Sequence, residues 1–409
     1  MVAVRRAAAS VSLATLVFWA GTAIAADVVV NNRNPGAALL SPAQVAAVKP
    51  YENPLPAPDA SAFKASTGAA GLVAGALPGK RIGRGGAAAT TSSGDTRAFG
   101  SFGIPFTEGR VMEGTSGTYS YDDNYLSTTY PYSTVGKLLF NGGYCSAAVI
   151  RRSVIVTAAH CIQAFGSHAT RFGGWQFIPA TWGPSSGPWY LYDPYGTWTW
   201  KSLIVPGPWA NGTDIGSGAA RDNDLALIAV DKLNGDFISD VVGQLGYGWN
   251  NYSFQSSEKT GNLEIAATTT LGYSTLLDGG SMMQRADGPT FTTTIVGAHQ
   301  LWQGNNATTG SAGSPWVVNF SAQAPAFSGG ASAGNAPLMT VIGVSSWRSA
   351  NPNTVKDNYA SQFRQNSAYP NAAYGIYGAG NIGALMNSLC LSLVPGGGGQ
   401  TFAQQHYCD

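Results

Sequence analysis

Val156–Cys161 reads V-T-A-A-H-C and carries the densest chemical signal in the chain. A short apolar run ends in three small residues, which let the backbone turn tightly and bring the His160 imidazole to a rim. An imidazole can take and return a proton near neutral pH, which suits a general base. A lone histidine is more often structural, and a base of this kind needs a carboxylate to hold its tautomer and stabilise its charged form. Asp222-Asn223-Asp224-Leu225-Ala226-Leu227-Ile228 supplies one. An Asp heading an apolar strand is costly unless paired, which favours Asp224 as the partner of His160 and leaves Asp222 as a solvated turn residue. A third cluster, Gly310-Ser311-Ala312-Gly313-Ser314-Pro315, places glycines where unusual backbone angles are needed and can present N–H donors from Gly310 and Ala312 to a developing oxyanion.

Cys145, Cys161, Cys390 and Cys408 are the four cysteines. An even number in an exported chain reads as two disulfides with three pairings open, among them the pairing of neighbours. Closing Cys161 onto Cys145, 16 residues earlier, would fix the His-bearing turn and contribute about 3 kcal/mol in the chain-entropy account. None of the four histidines stands in a ligand-spaced cluster, so no metal and no cofactor is expected.

The T-A-A-H-C run, the D-L-A-L-I strand and the glycine turn together resemble the chymotrypsin-like (trypsin-like) serine proteases over about Val111 to Trp347. Tyr130-Pro131-Tyr132, Ser314 before Pro315 and a mature start at Val111 look most like the bacterial glutamyl-endopeptidase branch. The resemblance implies two antiparallel six-stranded β-barrels and a catalytic set of His160, Asp224 and position 312. It implies an oxyanion hole from Gly310 and Ala312, a specificity-pocket floor near Asn306 and Ala307, and a substrate-pairing edge at Ser345, Ser346 and Trp347. The family's attacking serine falls at Ala312, whose methyl has neither a proton to give nor a lone pair to attack with. The chain is therefore read as a serine endopeptidase whose nucleophile has been removed, the alternative being a pseudoprotease that binds peptide or protein. Attack by Ser311 or Ser314 is disfavoured by their displacement of one or two residues. Ser311 also replaces the Asp that receives a freed N-terminal amine in trypsin-like members. Ser345 falls where glutamyl endopeptidases commonly carry a His, which puts glutamate preference in doubt. His168 and His406 read as surface residues, and His299 as a candidate for lining a pocket.

The elements that must hold these residues are strands. Of 409 residues 53 are Gly and 22 are Pro, which disfavours a mostly helical chain. Val135–Phe140, 144–150, 154–157, 225–230, 290–296 and 341–345 have strand composition. The stretch 172–209 reads as a long aromatic loop or a pair of hairpins, and Asn381–Leu391 alone has a helical pattern. With 11% charged residues and a net charge of +1, the chain lacks the electrostatic footprint of a nucleic-acid or anionic-membrane binder.

Residues 1–25 show a basic start, an apolar stretch and Ala23-Ile24-Ala25, the three parts of a signal peptide. Residues 26–110 are rich in Ala, Gly, Pro and Ser and read as a low-complexity pro-segment, with Arg110–Val111 as the processing point in an exposed, unstructured region and Arg97 as a second candidate. Residues 111–240 form the first expected barrel, and 241–409 the second with a C-terminal extension. The expectation is an all-β, monomeric, secreted protein, extracellular or periplasmic, whose partners are a peptide or protein substrate and its own pro-segment.

Overall fold

The computed structural model describes residues 28–33, 38–51, 106–111, 126–128, 130–167, 172–183, 193–214, 222–256, 264–292, 300–320, 339–348, 356–371 and 373–409. The predicted signal peptide, Arg97, His168 and His299 lie outside the described residues. The strands in chain order are β1 Val28–Asn32, β2 Thr107–Arg110, β3 Val135–Phe140, β4 Gly143–Arg151, β5 Val154–Thr157, β6 Gln176–Pro179, β7 Trp198–Pro206 and β8 Ala226–Val230. There follow β9 Gly246–Tyr247, β10 Gln255–Ser256, β11 Glu264–Gly272, β12 Gln284–Thr292, β13 Gln300–Gly304, β14 Pro315–Val318, β15 Thr340–Arg348 and β16 Asp357–Gln362.

These strands make two closed antiparallel barrels of six, the chymotrypsin-like arrangement. The first runs β7-β6-β3-β4-β5-β8 and closes through a β7–β8 pairing; the second runs β11-β14-β15-β16-β13-β12 and closes through β11–β12. Closure gives each strand of the two rings a neighbour on both sides over at least part of its length. Alternation sorts the side chains. Along β4, Cys145, Ala147 and Val149 enter the first barrel's core with Phe140, Phe177 and Ile228. Their neighbours Tyr144, Ala148 and Ile150 face outward into a larger core that also holds Leu271, Tyr273, Val341 and Val344 of the second barrel. That shared core holds the cleft-lining strands of the two barrels against each other. The helix Gly380–Leu391 returns to pack on β7 and β8 of the first barrel, with the chain end tied beside it through the Ser153 N–H to Tyr407 O bond.

Three pieces of the expected pro-segment are ordered on this body. β1 lies antiparallel on β7. A short helix, Pro42–Ala47, is opened by a Ser41–Gln44 capping box. β2 lies antiparallel on β12 of the second barrel. Arg110 therefore ends a paired strand, and Val111 is 1% exposed, its N–H donating to Met283 O. The physical reason is β pairing: main-chain bonds to β7 and β12 hold these strands in place despite low-complexity flanks.

Candidate active site

β5 and β8 are antiparallel neighbours, with Thr157 opposite Ala226, so the turn that leaves β5 lies beside the residues that enter β8. His160 sits in the 3-10 turn Ala159–Cys161 that follows β5, and Asp224 lies just ahead of β8, separated from it by Leu225. The His160 Nδ1 to Asp224 Oδ2 distance is 2.7 Å, and the His160 backbone N–H donates to Asp224 Oδ1 at 2.9 Å. Both residues are fully buried. A buried carboxylate is tolerable only when its lone pairs are met. Here the Ser346 hydroxyl completes the set, donating to Asp224 Oδ2. A register shift between Ser345 and Trp347 in the β15–β16 ladder marks a bulge at Ser346, and bulges re-aim side chains in this way. Asp222 is half-buried two residues upstream, and both His160 bonds go to Asp224.

The other ring nitrogen, His160 Nε2, is buried and has no hydrogen-bond partner among the described residues. Ala312 packs at the edge of the first barrel's core, the cluster that contains Cys145 and the Ala158–Cys161 turn. Its carbonyl accepts the Ser146 N–H at 2.8 Å, and Ser146 Oγ donates to Gly310 O at 3.0 Å, so β4 of the first barrel holds the glycine turn of the second. Gly310 has φ 91°, and a Cβ there would come within 2.5 Å of Tyr273 O. Within the turn the Ser311, Gly313 and Ser314 N–H groups are spent on Thr308 O, Ser345 O and Ser311 O, whereas among the described residues those of Gly310 and Ala312 bond to nothing. Two neighbouring free amides held by a rigid turn can receive an oxyanion.

The remaining predicted residues are placed as follows. Asn306 and Ala307 lie on the approach to the turn, and Ala307 lines a small cavity behind it. Ser345 and Ser346 are buried beside the turn, with Ser345 Oγ accepting Trp316 Nε1–H at 2.8 Å. Trp347 packs in a second-barrel cluster with Phe291, Trp302 and Tyr359. β14 stops at the Pro315–Val344 pairing, so beyond it that edge of β15 carries no strand among the described residues. Ser311 Oγ donates to Thr308 O at 2.6 Å, and Ser314 is buried behind the turn, which keeps both from the position of Ala312. His406 is exposed and bonds Asp409. The disulfides are Cys145–Cys161 and Cys390–Cys408. The sulfurs beside His160 are thus bonded to each other and offer no thiolate to a metal.

Three contributors were not legible as site residues. Ser146 braces the turn, Tyr51 stacks on the His160 ring with centroids 6.0 Å apart and planes 26° apart, and Glu108 approaches the turn from behind. The only sequence signals for the last two are an aromatic in an otherwise Ala/Pro-rich stretch and an acid shortly before an apolar Val111-Met112.

No protein-family model and no curated protein matches the chain. Among solved structures, the protease Anisep from Arthrobacter nicotinovorans is similar at 21% identity and TM-score 0.42, covering 57% of this chain and 91% of that one. The thermostable serine protease AL20 from an extremophilic microorganism is similar at 20% identity and TM-score 0.41, with coverage of 57% and 92%. A Glu endopeptidase in complex with MPD is similar at 16% identity and TM-score 0.39, with coverage of 62% and 94%.

Proposed function

We propose that this chain is the precursor of an exported serine endopeptidase of the chymotrypsin-like kind, with its nucleophile position occupied by Ala312. The observation that carries the reading is the buried His160–Asp224 pair, whose Nε2 has no partner among the described residues, set beside a turn whose Gly310 and Ala312 amides those residues also leave unused. With the hydroxyl restored by Ala312→Ser, its oxygen would attack the scissile carbonyl carbon while Nε2 of His160 takes its proton. Asp224 would hold Nδ1–H and stabilise the imidazolium, and the two amides would receive the oxyanion. Collapse of the tetrahedral species would return the proton to the leaving amine and leave an acyl-enzyme, which water hydrolyses by the same relay. An extended peptide would pair with the open edge of β15.

Tyr51, within the expected pro-segment, stacks on the His160 ring and partly covers this site, which supports a zymogen reading. The Tyr51 N–H donates to Tyr144 O, and Lys49 O accepts the Tyr144 N–H, at 3.0 and 2.9 Å. β2 pairs with β12 of the second barrel, which favours Arg97 over Arg110 as the processing point. Two disulfides and the signal-like N-terminus support an oxidising, extracytoplasmic destination. Among the described residues no helix is long and apolar enough to cross a membrane.

The alanine itself favours a second reading, a pseudoprotease that binds peptide without cleaving it. Ala312→Ser distinguishes them. The endopeptidase reading expects cleavage of unfolded casein-like substrates to rise by several orders of magnitude, with mass spectrometry reporting the cut sites and the chain's own new N-terminus. Binding without cleavage after the reversion supports the pseudoprotease.

A further inference from the structure

The C-terminal helix Gly380–Leu391 starts against the residues that lead into Asp224, and the relay above makes no use of it. Asn381, in its first turn, is fully buried. Its Oδ1 accepts the backbone N–H of Arg364 at 3.0 Å and that of Ile382 at 2.7 Å, which fixes the amide and turns Nδ2 the other way. Asn381 Nδ2–H donates to Gln362 O at 3.1 Å, to Asn223 Oδ1 at 3.3 Å and to Asp222 O at 3.4 Å. Two amide hydrogens thus serve three acceptors, two of them on the residues just before Asp224. Gly380 is what lets the helix begin so close: it has φ 62°, and a Cβ there would stand 2.2 Å from Arg364 O.

Asn223 is held at both ends of its side chain. Its Oδ1 also accepts Asn366 Nδ2–H at 2.7 Å, while its own Nδ2–H and its backbone N–H donate to the two oxygens of Asp214, at 3.2 and 2.8 Å. The next amide, the Asp224 N–H, donates to Ser361 Oγ of β16 at 3.1 Å. The backbone from Asp222 to Asp224 is therefore tied to β16 of the second barrel and to the C-terminal helix, although the Asp224 carboxylate itself faces His160 in the first barrel. Removing one partner from a buried network strands the groups that it met. With five side-chain bonds, Asn381 is the member whose loss leaves most of them unmet.

We propose that Asn381 is a positioning residue for the His160–Asp224 pair: it braces the Asp222–Asp224 backbone so that the carboxylate stays aimed at both the Nδ1 and the backbone N–H of His160. The C-terminal stretch, which lies beyond the part of the chain that resembles serine proteases in sequence, thereby joins the machinery that holds the pair. This rests on the reading of His160 and Asp224 as the catalytic pair.

The test uses the full chain in two backgrounds. With Ala312 kept, the His160 backbone amide reports on the carboxylate, because Asp224 Oδ1 is its acceptor. Asn381→Ala is expected to speed hydrogen exchange of that amide about tenfold or more and to leave the β3 amides within about threefold, a readout that stands even if the reverted chain cleaves nothing. With Ala312→Ser, Asn381→Ala is expected to lower kcat roughly 10- to 100-fold while KM changes less than about threefold, because the relay is misaimed while the surfaces that hold substrate are intact. In a chain that also carries Asp224→Asn, the same substitution is expected to change kcat by less than about threefold, since a residue acting through Asp224 has nothing left to position. Cys390→Ser with Cys408→Ser loosens the far end of the same helix and is expected to retain kcat within about threefold. Asn366→Ala removes the 2.7 Å bond to Asn223 from a half-buried position and serves if Asn381→Ala does not fold, with a smaller change in the same direction in both readouts. Unchanged His160 exchange in Asn381→Ala, an equal fold-loss of kcat in the Asp224→Asn chain, or a bridge variant as impaired as the asparagine one would each overturn the assignment.

Discussion

The Tyr51 ring lies nearly parallel to the His160 imidazole, at a centroid separation of 6.0 Å and an interplanar angle of 26°. Tyr51 belongs to a segment joined to Tyr144 by a parallel bridge at Pro50, and Gly143 is what lets that segment approach. A Cβ on Gly143 would stand 2.7 Å from Lys49 O, at a φ of 148°. Tyr51 in turn meets the Phe140 and Phe172 rings edge-on, so its position is held by packing as well as by backbone bonds.

A cover of this kind has a chemical consequence in the Ala312 chain itself. His160 is 1% exposed, so diethyl pyrocarbonate is expected to modify it slowly while His406 on the surface reacts freely. An aromatic contact contributes roughly 0.5–1.5 kcal/mol, so Tyr51→Ala, which leaves both backbone bonds in place, is expected to speed His160 modification about two- to tenfold. Peptide mapping after brief exposure measures it. Equal rates in the two proteins would show that Tyr51 does not shield the imidazole.

The His160–Asp224 bond makes its own prediction. In the Ala312→Ser background, Asp224→Asn keeps the volume but offers an amide where His160 Nδ1 needs an acceptor, favouring the wrong tautomer. Loss of about 10⁴-fold in kcat is expected, with thermal stability changed far less. A parallel loss of the folded form in circular dichroism would make Asp224 a structural residue instead.

How much of this was readable in advance follows from what each residue packs against. β3 and β5 match the expected 135–140 and 154–157 residue for residue, because both are short runs, apolar apart from Lys137 and Thr157, between Gly- or Arg-rich turns. Within the aromatic stretch, expected as a long loop or a pair of hairpins, β6 pairs antiparallel with β7. β11, β13 and β16, E-I-A-A-T-T-T-L-G, Q-L-W-Q-G and D-N-Y-A-S-Q, carry too many polar side chains to announce themselves. Gln303, at the polar end of β13, meets the carbonyls of Thr268 and Gly288, a pairing that only the closed barrel creates. β12 begins six residues before the expected start at Thr290, because its first half is claimed by β2 and β11. At the site, His160 and Asp224 were legible as adjacent strand ends. Ser346 reaches Asp224 only through a bulge, and Tyr51 and Glu108 act across sequence that has no periodicity of its own.

The Cys145–Cys161 disulfide spans 16 residues and ties β4 to the His160 turn. Replacing both cysteines by serine is expected to cost about 3 kcal/mol, lowering Tm by several degrees, roughly 2–4 °C for each kcal/mol in a chain of this size. The same change at Cys390 and Cys408, which close an 18-residue loop at the C-terminal helix, should lower Tm comparably. It should leave the diethyl pyrocarbonate reactivity of His160 as it was, whereas loss of the first bridge should raise it. Identical effects on His160 from the two bridges would mean that neither acts locally.

Three buried groups set an expected pH dependence of stability. Burial raises Glu108 from 4.5, and Asp214 from 3.8, to about 7. Between those ordinary values and pH 7 the folded acids keep protons that the unfolded ones release, so their contribution is full below about pH 4 and is lost as pH rises towards 7. Lys137 runs the other way. Enclosed between the Tyr144 and Tyr273 rings, with Nζ 4.8 and 5.3 Å from their centroids, it is lowered by burial from 10.5 to about 7. From pH 7 to 10.5 the unfolded lysine holds a proton that the folded one lacks, so stability rises with pH across that window, by an amount on the order of 4 kcal/mol. These three groups together therefore place a minimum of stability near pH 7. Denaturant unfolding from pH 4 to 10 measures it: Lys137→Met should flatten the alkaline limb and stabilise the protein at pH 7, while Glu108→Gln with Asp214→Asn should flatten the acid limb. A profile that peaks near neutrality, unchanged by Lys137→Met, would show that the lysine keeps its charge in the folded protein.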